Sequence, residues 1–232
     1  MNKKLIITAI SFLLAAISFS SCKKSKDSPA HTPVINAINW KEELKNTIWA
    51  GEYKYTTGSN QFLQPFSTTL NADGTLTWTD LENTRPGGTW KVEGSQLNFT
   101  FPNKTTLSAT LGKEQWSDFK SGVGAGFVID NAFRSAQPDA ASLVNTTWKG
   151  TDGVGNFTIR FINENSVELL GAIINYRGAY IISDGGLQFT SGSQLRFFGV
   201  FKKNKTESIG AYHAVSPPLN INKYAHWIST KQ

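Results

Sequence analysis

Cysteine, histidine and charged residues are all scarce in this chain of 232 residues. The single cysteine, Cys22, excludes an internal disulfide and any metal cluster built from several cysteines. Three histidines leave few side chains for a zinc site or for general-base catalysis. Charged residues make up only 17% of the chain, whereas disordered proteins are typically rich in charge and poor in aromatic residues. The composition therefore predicts a packed protein of one large or two small domains.

The first 22 residues have the pattern of a bacterial export signal. Lys3 and Lys4 provide a positive start, residues 5–17 form an apolar run, and small serines precede Cys22. The run is shorter than the roughly 20 apolar residues that span a bilayer. A lone cysteine directly after small residues resembles the lipobox of bacterial lipoproteins, in which this cysteine is acylated. We expect residues 1–21 to be a lipoprotein signal peptide and Cys22 to be the lipid attachment site.

An ordinary signal peptide with an incidental cysteine is the alternative. Acylation is favoured because a free thiol would be a liability in an exported chain. Residues 22–43 then form the lipid anchor and a flexible tether with prolines among small polar residues. Lys23, Lys24 and Lys26 lie beside the anchor, where they either meet anionic headgroups or stay solvated. We expect a lipid-anchored protein of the bacterial cell envelope, on the outer membrane and facing the periplasm.

The positive charge does not indicate a nucleic-acid partner. The formal net charge of +6 falls to about +4 once Lys3 and Lys4 leave with the signal. No basic stripe in the sequence interleaves with aromatic residues, as a nucleic-acid-binding surface would require. The expected partners are therefore the membrane, a small ligand and an envelope protein, and not a nucleic acid.

The part of the chain after the tether contains an internal duplication. Residues 44–51 and 143–150 share five of eight residues at a spacing of 99. The shared residues are Leu44, Asn46, Thr47, Trp49 and Gly51 in the first half and Leu143, Asn145, Thr146, Trp148 and Gly150 in the second. Two weaker matches follow in the same order, residues 88–100 with 178–190 and residues 123–127 with 208–212. We expect two repeats, at residues 44–134 and 143–232.

Apolar and polar residues alternate with a period of two in both repeats, which is typical of strands with one buried face. Leu76 and Trp78, for example, alternate with threonines, and Asp73 and Gly74 precede them as a hairpin signal. Strands are expected to start near residues 49, 66, 75, 89, 97, 107, 115 and 123, and near residues 148, 157, 167, 179, 187, 194, 207 and 224. Helical turns are expected only around residues 38–45 and 135–143.

The predicted fold class is all-β, with two tandem small antiparallel up-and-down β-barrels of about eight strands each after the signal and tether. Closing each sheet into a barrel would remove its exposed edges. Two packed sheets are the structural alternative, and the repeats could also share one sheet system. A barrel of about eight strands has an interior just large enough for its own side chains or for one small ligand.

These features resemble the small lipocalin-like (calycin-type) domains of Gram-negative envelope lipoproteins. The residues that carry the resemblance are Trp49 with Gly51, Trp148 with Gly150, residues 66–74, and the Gly-x-Trp/Tyr segments at 88–90 and 178–180. Thr47 and Thr146 depart from the family pattern, in which Gly usually stands two residues before this Trp. The resemblance implies a binding or structural barrel and does not imply a particular ligand.

Aromatic residues are the candidate ligand-binding groups, because binding pockets favour aromatic side chains. Trp49 and Trp148 recur at equivalent positions, so we assign them to the core. Trp116 has no clear counterpart in the second repeat and stands in a polar context, so we expect it at a surface. The predicted ligand-binding residues are Trp78, Trp90, Trp116, Tyr180 and Phe198.

The sequence gives little support for catalysis. Asp80 and Glu82 follow a strand end near Arg85, which is typical of a solvated loop and not of paired catalytic carboxylates. His213 and His226 could face each other across the last two strands, but a zinc site needs a third ligand. We expect a protein that is not an enzyme and that uses no metal and no cofactor.

The sequence thus favours a membrane-anchored, non-catalytic envelope lipoprotein. We expect its lipocalin-like barrels to bind a small apolar or glycan ligand, or an envelope partner. A structural or accessory spacer with filled barrels and no ligand is the alternative. A barrel enzyme would require a cluster of inward-facing titratable residues.

The lipid-anchor hypothesis predicts that Cys22→Ala moves the protein from the membrane into the soluble fraction, because acyl chains supply the attachment. Cell fractionation with immunoblotting measures the distribution, and circular dichroism of the released protein checks that the fold is kept. Retention of a folded variant in the membrane fraction would contradict the anchor.

Overall fold

The computed structural model describes residues 38–56, 62–122, 126–172, 174–191, 195–216 and 221–232. One compact unit spans Ile38–Gln232. It contains two antiparallel β-barrels, each preceded by a short helix, α1 (Trp40–Leu44) or α2 (Ala140–Leu143). The helices within this part of the chain lack the length and hydrophobicity that crossing a bilayer requires. The all-β prediction is confirmed, whereas the predicted signal peptide and Cys22 lie outside the described residues.

The first barrel consists of eight strands. They are β1 (Thr47–Tyr55), β2 (Gln64–Leu70), β3 (Thr75–Asp80), β4 (Thr84–Glu93), β5 (Gln96–Thr100), β6 (Thr106–Leu111), β7 (Gln115–Ser121) and β8 (Phe127–Arg134). Each strand pairs with the next, and β8 pairs back with β1, so the barrel is closed. Strand β4 begins at Thr84, earlier than expected, because its first half pairs with β3 and its second half pairs with β5.

The second barrel consists of nine strands. They are β9 (Thr147–Thr151), β10 (Asn156–Asn163), β11 (Ser166–Leu170), β12 (Asn175–Ala179), β13 (Ile181–Ser183), β14 (Gly186–Ser191), β15 (Leu195–Phe201), β16 (Glu207–Ser216) and β17 (Ile221–Lys231). Strands β12 and β13 lie at the two ends of the sheet and are joined through Tyr180. Since β12 pairs with β11 and β13 pairs with β14, the two together occupy the place that β4 has in the first barrel.

Two of the three sequence matches correspond to equivalent places in the barrels. The backbone amide of Trp90 donates to Gly74 at 2.8 Å, and that of Tyr180 donates to Asn165 at 3.1 Å. The Trp90 indole donates to the carbonyl of Asn71, as the Tyr180 hydroxyl does to that of Asn163. The third match is wrong, because residues 126–127 lead into β8, the last strand of their repeat, whereas residues 208–212 lie within β16, the next-to-last strand of theirs.

The first match builds the same corner between helix and first strand in both repeats. Asn46 and Asn145 adopt the left-handed backbone conformation, with φ of 57° and 60°. The hydroxyl of Thr47 donates to Leu44 O at 2.6 Å and accepts from Trp49 Nε1 at 3.0 Å. Thr146 makes the same two contacts at 2.6 and 3.1 Å in the second repeat. The threonine that departs from the lipocalin pattern therefore links the buried indole to the helix end.

The glycine two residues after each tryptophan permits a close approach between the first and last strands of its barrel. A Cβ at Gly51 would lie 1.9 Å from Asn131 O, and one at Gly150 would lie 1.7 Å from Ile228 O. These distances are far inside van der Waals contact, so a side chain at either position would push the two strands apart. Glycine is thus required at the seam where each barrel closes.

Aromatic rings fill much of the interior of both barrels. In the first barrel Trp49 stacks on Trp116 with ring centroids 4.4 Å apart. In the second barrel Phe197 stacks on Phe189 at 4.1 Å and on Trp227 at 5.1 Å. A Cβ at Gly210 would lie 2.1 Å from the Trp227 indole, so this glycine leaves the space that the indole occupies. The described interior of the second barrel is therefore packed with stacked rings.

A third apolar cluster joins the two barrels. Its buried members are Ala50, Leu81, Phe198, Val200, Ile209 and Ala211. Ion pairs surround it, with Arg196 on Glu82 at 2.5 Å and Lys203 on Glu114 at 2.6 Å. The two barrels are separate sheets with a shared apolar interface. Within the described chain, the one strand-type pairing between them is the isolated bridge of Ser135, just after β8, with Lys202, just after β15.

The most buried ionic contact of this interface joins Glu52 to His226. Burial alone would raise the pKa of the Glu52 carboxyl. Hydrogen bonds to His226 and Asn131, with the charges of His226 and Lys202, outweigh burial and hold this pKa below its ordinary value. Glu52 therefore stays ionised at the interface at neutral pH.

The corner contacts predict that Thr47→Val and Thr146→Val each destabilise the protein. Valine keeps the shape of threonine but leaves the tryptophan N–H without its acceptor, which costs about 1–3 kcal/mol for a buried donor. Urea unfolding followed by tryptophan fluorescence measures the change. The control is Thr100→Val on an exposed position of β5, and equal midpoints for all three variants would contradict the assigned role.

Candidate functional site

A cavity of about 480 Å³ lies at one end of the first barrel. Its lining residues are Tyr53, Tyr55, Trp78, Asp80, Arg85, Phe101, Pro102, Asn103, Thr105 and Phe127. They come from the end of β1, the end of β3, the start of β4, the β5–β6 turn and the start of β8. Helix α1 leads into the start of β1, so the cavity lies at the opposite end of that strand. Pro102 and Asn103 are exposed, and the cavity therefore opens to solvent beside this turn.

The strand alternation explains why these side chains point inward. Side chains two residues apart on a strand share one face. Leu76, Trp78 and Asp80 of β3 therefore lie on the same side, and all three are buried. Tyr53 follows Trp49 and Gly51 on the inward face of β1, past a register shift in the pairing with β8. The alternation that places Leu76 and Trp78 in the core continues to the end of β3, where it places the Asp80 carboxylate at the base of the cavity.

Asp80 accepts hydrogen bonds from five donors. Its Oδ2 atom accepts from the Tyr53 hydroxyl and from Trp78 Nε1, each at 3.2 Å, and from Arg85 Nη1. Its Oδ1 atom accepts from the backbone amides of Glu82 and Asn83, each at 3.0 Å. The Asp80 side chain is only 1% exposed. The expectation that Asp80 lies in a solvated loop is therefore wrong, because the strand face carries it into the barrel.

The charges around Asp80 keep its neighbours protonated. Burial raises the pKa of the Tyr53 hydroxyl, and the negative charge of Asp80 raises it further, so this hydroxyl remains a donor. Burial lowers the pKa of Arg85, but the charge and the hydrogen bond of Asp80 outweigh burial and leave this pKa above its ordinary value. The base of the cavity thus holds a fixed ion pair, with the carboxylate buried and the arginine side chain 39% exposed.

The five predicted ligand-binding residues lie in different places. Trp78 lines the cavity, and Trp90 is buried in the same core with its N–H on Asn71. Trp116 is 1% exposed and stacks on Trp49, so the expectation of a surface position is wrong. Ligand binding by Trp78 remains a prediction, and its position in the cavity lining is compatible with it.

Tyr180 and Phe198 lie outside the first barrel. Tyr180 borders a smaller cavity of about 280 Å³, which also touches Asp80 and Leu81 of the first barrel. Phe198 is 1% exposed in the apolar cluster between the barrels. The structure therefore does not bring the five predicted residues into one site.

Four of the residues that line the cavity were not predicted from the sequence, although sequence signals exist for some of them. The four are Tyr53, Arg85, Phe101 and Phe127. Tyr53 shares the alternation of Trp49, and Phe101 continues that of Leu97 and Phe99. The place of Arg85 depends on its ion pair with Asp80, which the sequence alone does not reveal.

The two histidines near the chain end do not form a metal site with their neighbours. Strand pairing places His213 opposite Tyr224, on which it stacks, and His226 opposite Ala211. His226 contacts Glu52 instead. Among the described residues, no group of three or more His, Cys, Asp or Glu side chains is arranged to hold a metal ion.

Glu82 and Asp80 point to different partners. Glu82 pairs with Arg196 of the second barrel, whereas Asp80 is held inside the first barrel. The two carboxylates thus serve separate contacts, one between the barrels and one at the base of the cavity.

Comparisons with known proteins give a distant match among the solved structures. No protein-family model matches the chain, and no curated protein matches it. A solved structure of a protein of unknown function from the DUF3598 family of Nostoc punctiforme PCC 73102 matches 83% of this chain and 98% of its own, with 8% identity and a TM-score of 0.28. A likeness at this TM-score carries no argument about function.

The contacts of Asp80 predict that Asp80→Asn destabilises the first barrel by about 2 kcal/mol or more. The asparagine amide lacks the negative charge that balances Arg85. Its N–H group would also face N–H and O–H groups that donated hydrogen bonds to the carboxylate. Chemical unfolding of the two proteins measures the difference. The matched control is Asp118→Asn on an exposed position of β7, expected within about 0.5 kcal/mol of the native protein, and equal losses for the two variants would contradict the assignment.

Proposed function

We propose that this protein is a lipid-anchored, non-catalytic envelope protein that binds a small, largely apolar ligand in the cavity of the first barrel. The observation that carries the proposal is the aromatic cavity at the end of that barrel. Small-molecule sites are typically concave, mostly apolar, and of about 300–1,000 Å³, with a few placed polar groups. The cavity of about 480 Å³ has this size and this lining.

The walls of the cavity favour an apolar body over a strongly hydrated one. Trp78 and Phe101 meet edge to face with ring centroids 5.6 Å apart, and Phe127 lies 5.8 Å from Tyr53. Aromatic rings contribute large apolar areas that a ligand can bury. Tyr55 and Phe127 are half-buried, so a ligand would remove part of their apolar surface from water.

The second barrel supports the alternative role of a scaffold. Its interior holds stacked rings, and the indole of Trp227 occupies the space beside Gly199 and Gly210. The interface joins this packed barrel to the first one through apolar contacts and ion pairs. We assign ligand binding to the first barrel and a supporting role to the second, consistent with a lipocalin-like tandem protein.

The first residues of the chain support the proposed location. The lipobox-like serines before Cys22 and the tether of residues 22–43 support acylation at Cys22. Several acyl chains would hold the protein on the membrane, whereas one chain binds only marginally. The compact unit would then stand off the outer membrane on the periplasmic side, where it could meet a ligand or an envelope partner.

The proposal predicts that the chain from Lys23 onward binds N-phenyl-1-naphthylamine, a neutral probe that fluoresces in apolar surroundings. This form keeps every described contact, because the compact unit begins at Ile38. Thr105→Trp fills the cavity from its lining and should weaken binding at least tenfold. The control is Thr100→Trp, which places the same indole on an exposed position of β5 and should leave affinity within twofold.

Fluorescence titration gives the dissociation constants of the three proteins. Saturable binding that is lost only in Thr105→Trp supports the cavity as the site. Absence of saturable binding, or equal binding by both tryptophan variants, would contradict the proposed function.

A further inference from the structure

The guanidinium of Arg85 has donors left over after its contact with the protein. An arginine side chain carries five N–H donors. Among the described residues, Asp80 is its one hydrogen-bond partner, through Nη1. The side chain lines the cavity and is 39% exposed. The other N–H groups are therefore available to an acceptor that enters the cavity.

The carboxylate of Asp80, in contrast, has no free acceptor site for a ligand. A carboxylate has about four lone-pair sites, and Asp80 already accepts from Tyr53, Trp78, Arg85 and two backbone amides. Its side chain is also closed to solvent. A ligand that brings hydroxyl or ammonium donors finds no free acceptor at this carboxylate, whereas a ligand that brings acceptors finds a fixed guanidinium.

The charges around this end of the barrel also favour an anion. Lys54 near the end of β1, Lys104 in the β5–β6 turn and Lys120 near the end of β7 are exposed. None of these three lysines forms an ion pair with another described residue. Glu82, which follows β3 and has a half-buried side chain, is already paired with Arg196. These three lysines place positive charge around this end of the barrel, which raises the local concentration of anions.

We propose that the ligand of the first barrel is an organic anion with a flat apolar body, whose anionic oxygens accept hydrogen bonds from Arg85 while the body contacts Trp78, Phe101 and Phe127. This inference rests on the proposed function and deepens it by naming the chemical class, an aryl carboxylate or sulfonate. Guanidinium groups bind carboxylates and sulfonates through charge-assisted hydrogen bonds, which are the strong ones in protein sites. Asp80 acts as the positioning residue, because it fixes the guanidinium at the base of the cavity.

Two related probes test this inference on the chain from Lys23 onward. 1-Anilinonaphthalene-8-sulfonate has the aromatic skeleton of N-phenyl-1-naphthylamine with an added sulfonate. We expect the sulfonate probe to bind at least tenfold more tightly than the neutral probe, with a preference that shrinks as salt screens the charges. Thr105→Trp should weaken both, which places both probes in the cavity.

Two variants then remove the donors of Arg85 in different ways. Arg85→Lys keeps a positive partner for Asp80 but loses the planar fork, and Asp80→Asn with Arg85→Gln replaces the ion pair by a neutral pair. In both variant proteins, the dissociation constant of the neutral probe divided by that of the sulfonate probe should fall about tenfold, toward one. The control is Lys91→Gln, a 69% exposed lysine side chain on the outer face of β4, which should leave the ratio unchanged. Near-ultraviolet circular dichroism identifies the folded variants.

The outcomes separate the two proposals. A sulfonate preference that is lost with Arg85 supports the anionic ligand. Equal affinities of the native protein for the two probes would contradict the anionic ligand, and so would a sulfonate preference that persists in both Arg85 variants. In either case, binding of the neutral probe would still support the cavity as a binding site. Failure of both probes to bind would overturn the proposed function and this inference with it.

Discussion

The contact that closes each barrel is the one on which the rest of the structure depends. Gly51 and Gly150 let the first strand approach the last so closely that any Cβ would lie within 2 Å of a carbonyl oxygen. Without this approach the first and last strands would expose unpaired edges. The adjacent tryptophan and threonine fix the helix end against the same strand. Closure, helix placement and the start of the core are thus coupled within six residues of sequence, 46–51 and 145–150.

The same scaffold carries two different interiors. In the second barrel the rings of Phe189, Phe197 and Trp227 stack on one another and fill the described core. In the first barrel the aromatic packing is dense around Trp49 and Trp116, and the cavity lies past it at the other end of β1. There the ion pair of Asp80 and Arg85 replaces apolar filling. One barrel therefore contains an aromatic cavity, whereas the described interior of the other is filled by its own rings.

The buried ion pair also explains why the cavity keeps its shape. Burying an unpaired carboxylate is strongly unfavourable, and Asp80 avoids this penalty through five hydrogen bonds. Those bonds hold Tyr53, Trp78 and Arg85 in fixed positions around it. A cavity lined by apolar groups alone would have fewer directional contacts to resist collapse. The polar base thus organises the apolar walls.

The sequence by itself determined the strand pattern, the duplication and the two helical turns. These depend on period-two alternation, on turn residues such as Asp73-Gly74, and on the spacing of Asn46, Thr47, Trp49 and Gly51, all of which act between residues close along the chain. It also contained the signal that Asp80 points inward, because Leu76 and Trp78 share its strand face. The interpretation of Asp80 as a loop residue overlooked that this alternation continues to the strand end.

Only the tertiary structure decided which distant side chains meet. Trp116 stands among polar residues in the sequence. However, β7 pairs with β8 and β8 pairs with β1, so the Trp116 ring stacks on Trp49 in the core. Phe198 alternates like any strand residue, and its burial depends on the barrel packed against it. The pairing of Glu52 with His226 spans 174 residues of sequence. Such contacts follow from strand register, barrel closure and the packing of one barrel on the other, which no local pattern encodes.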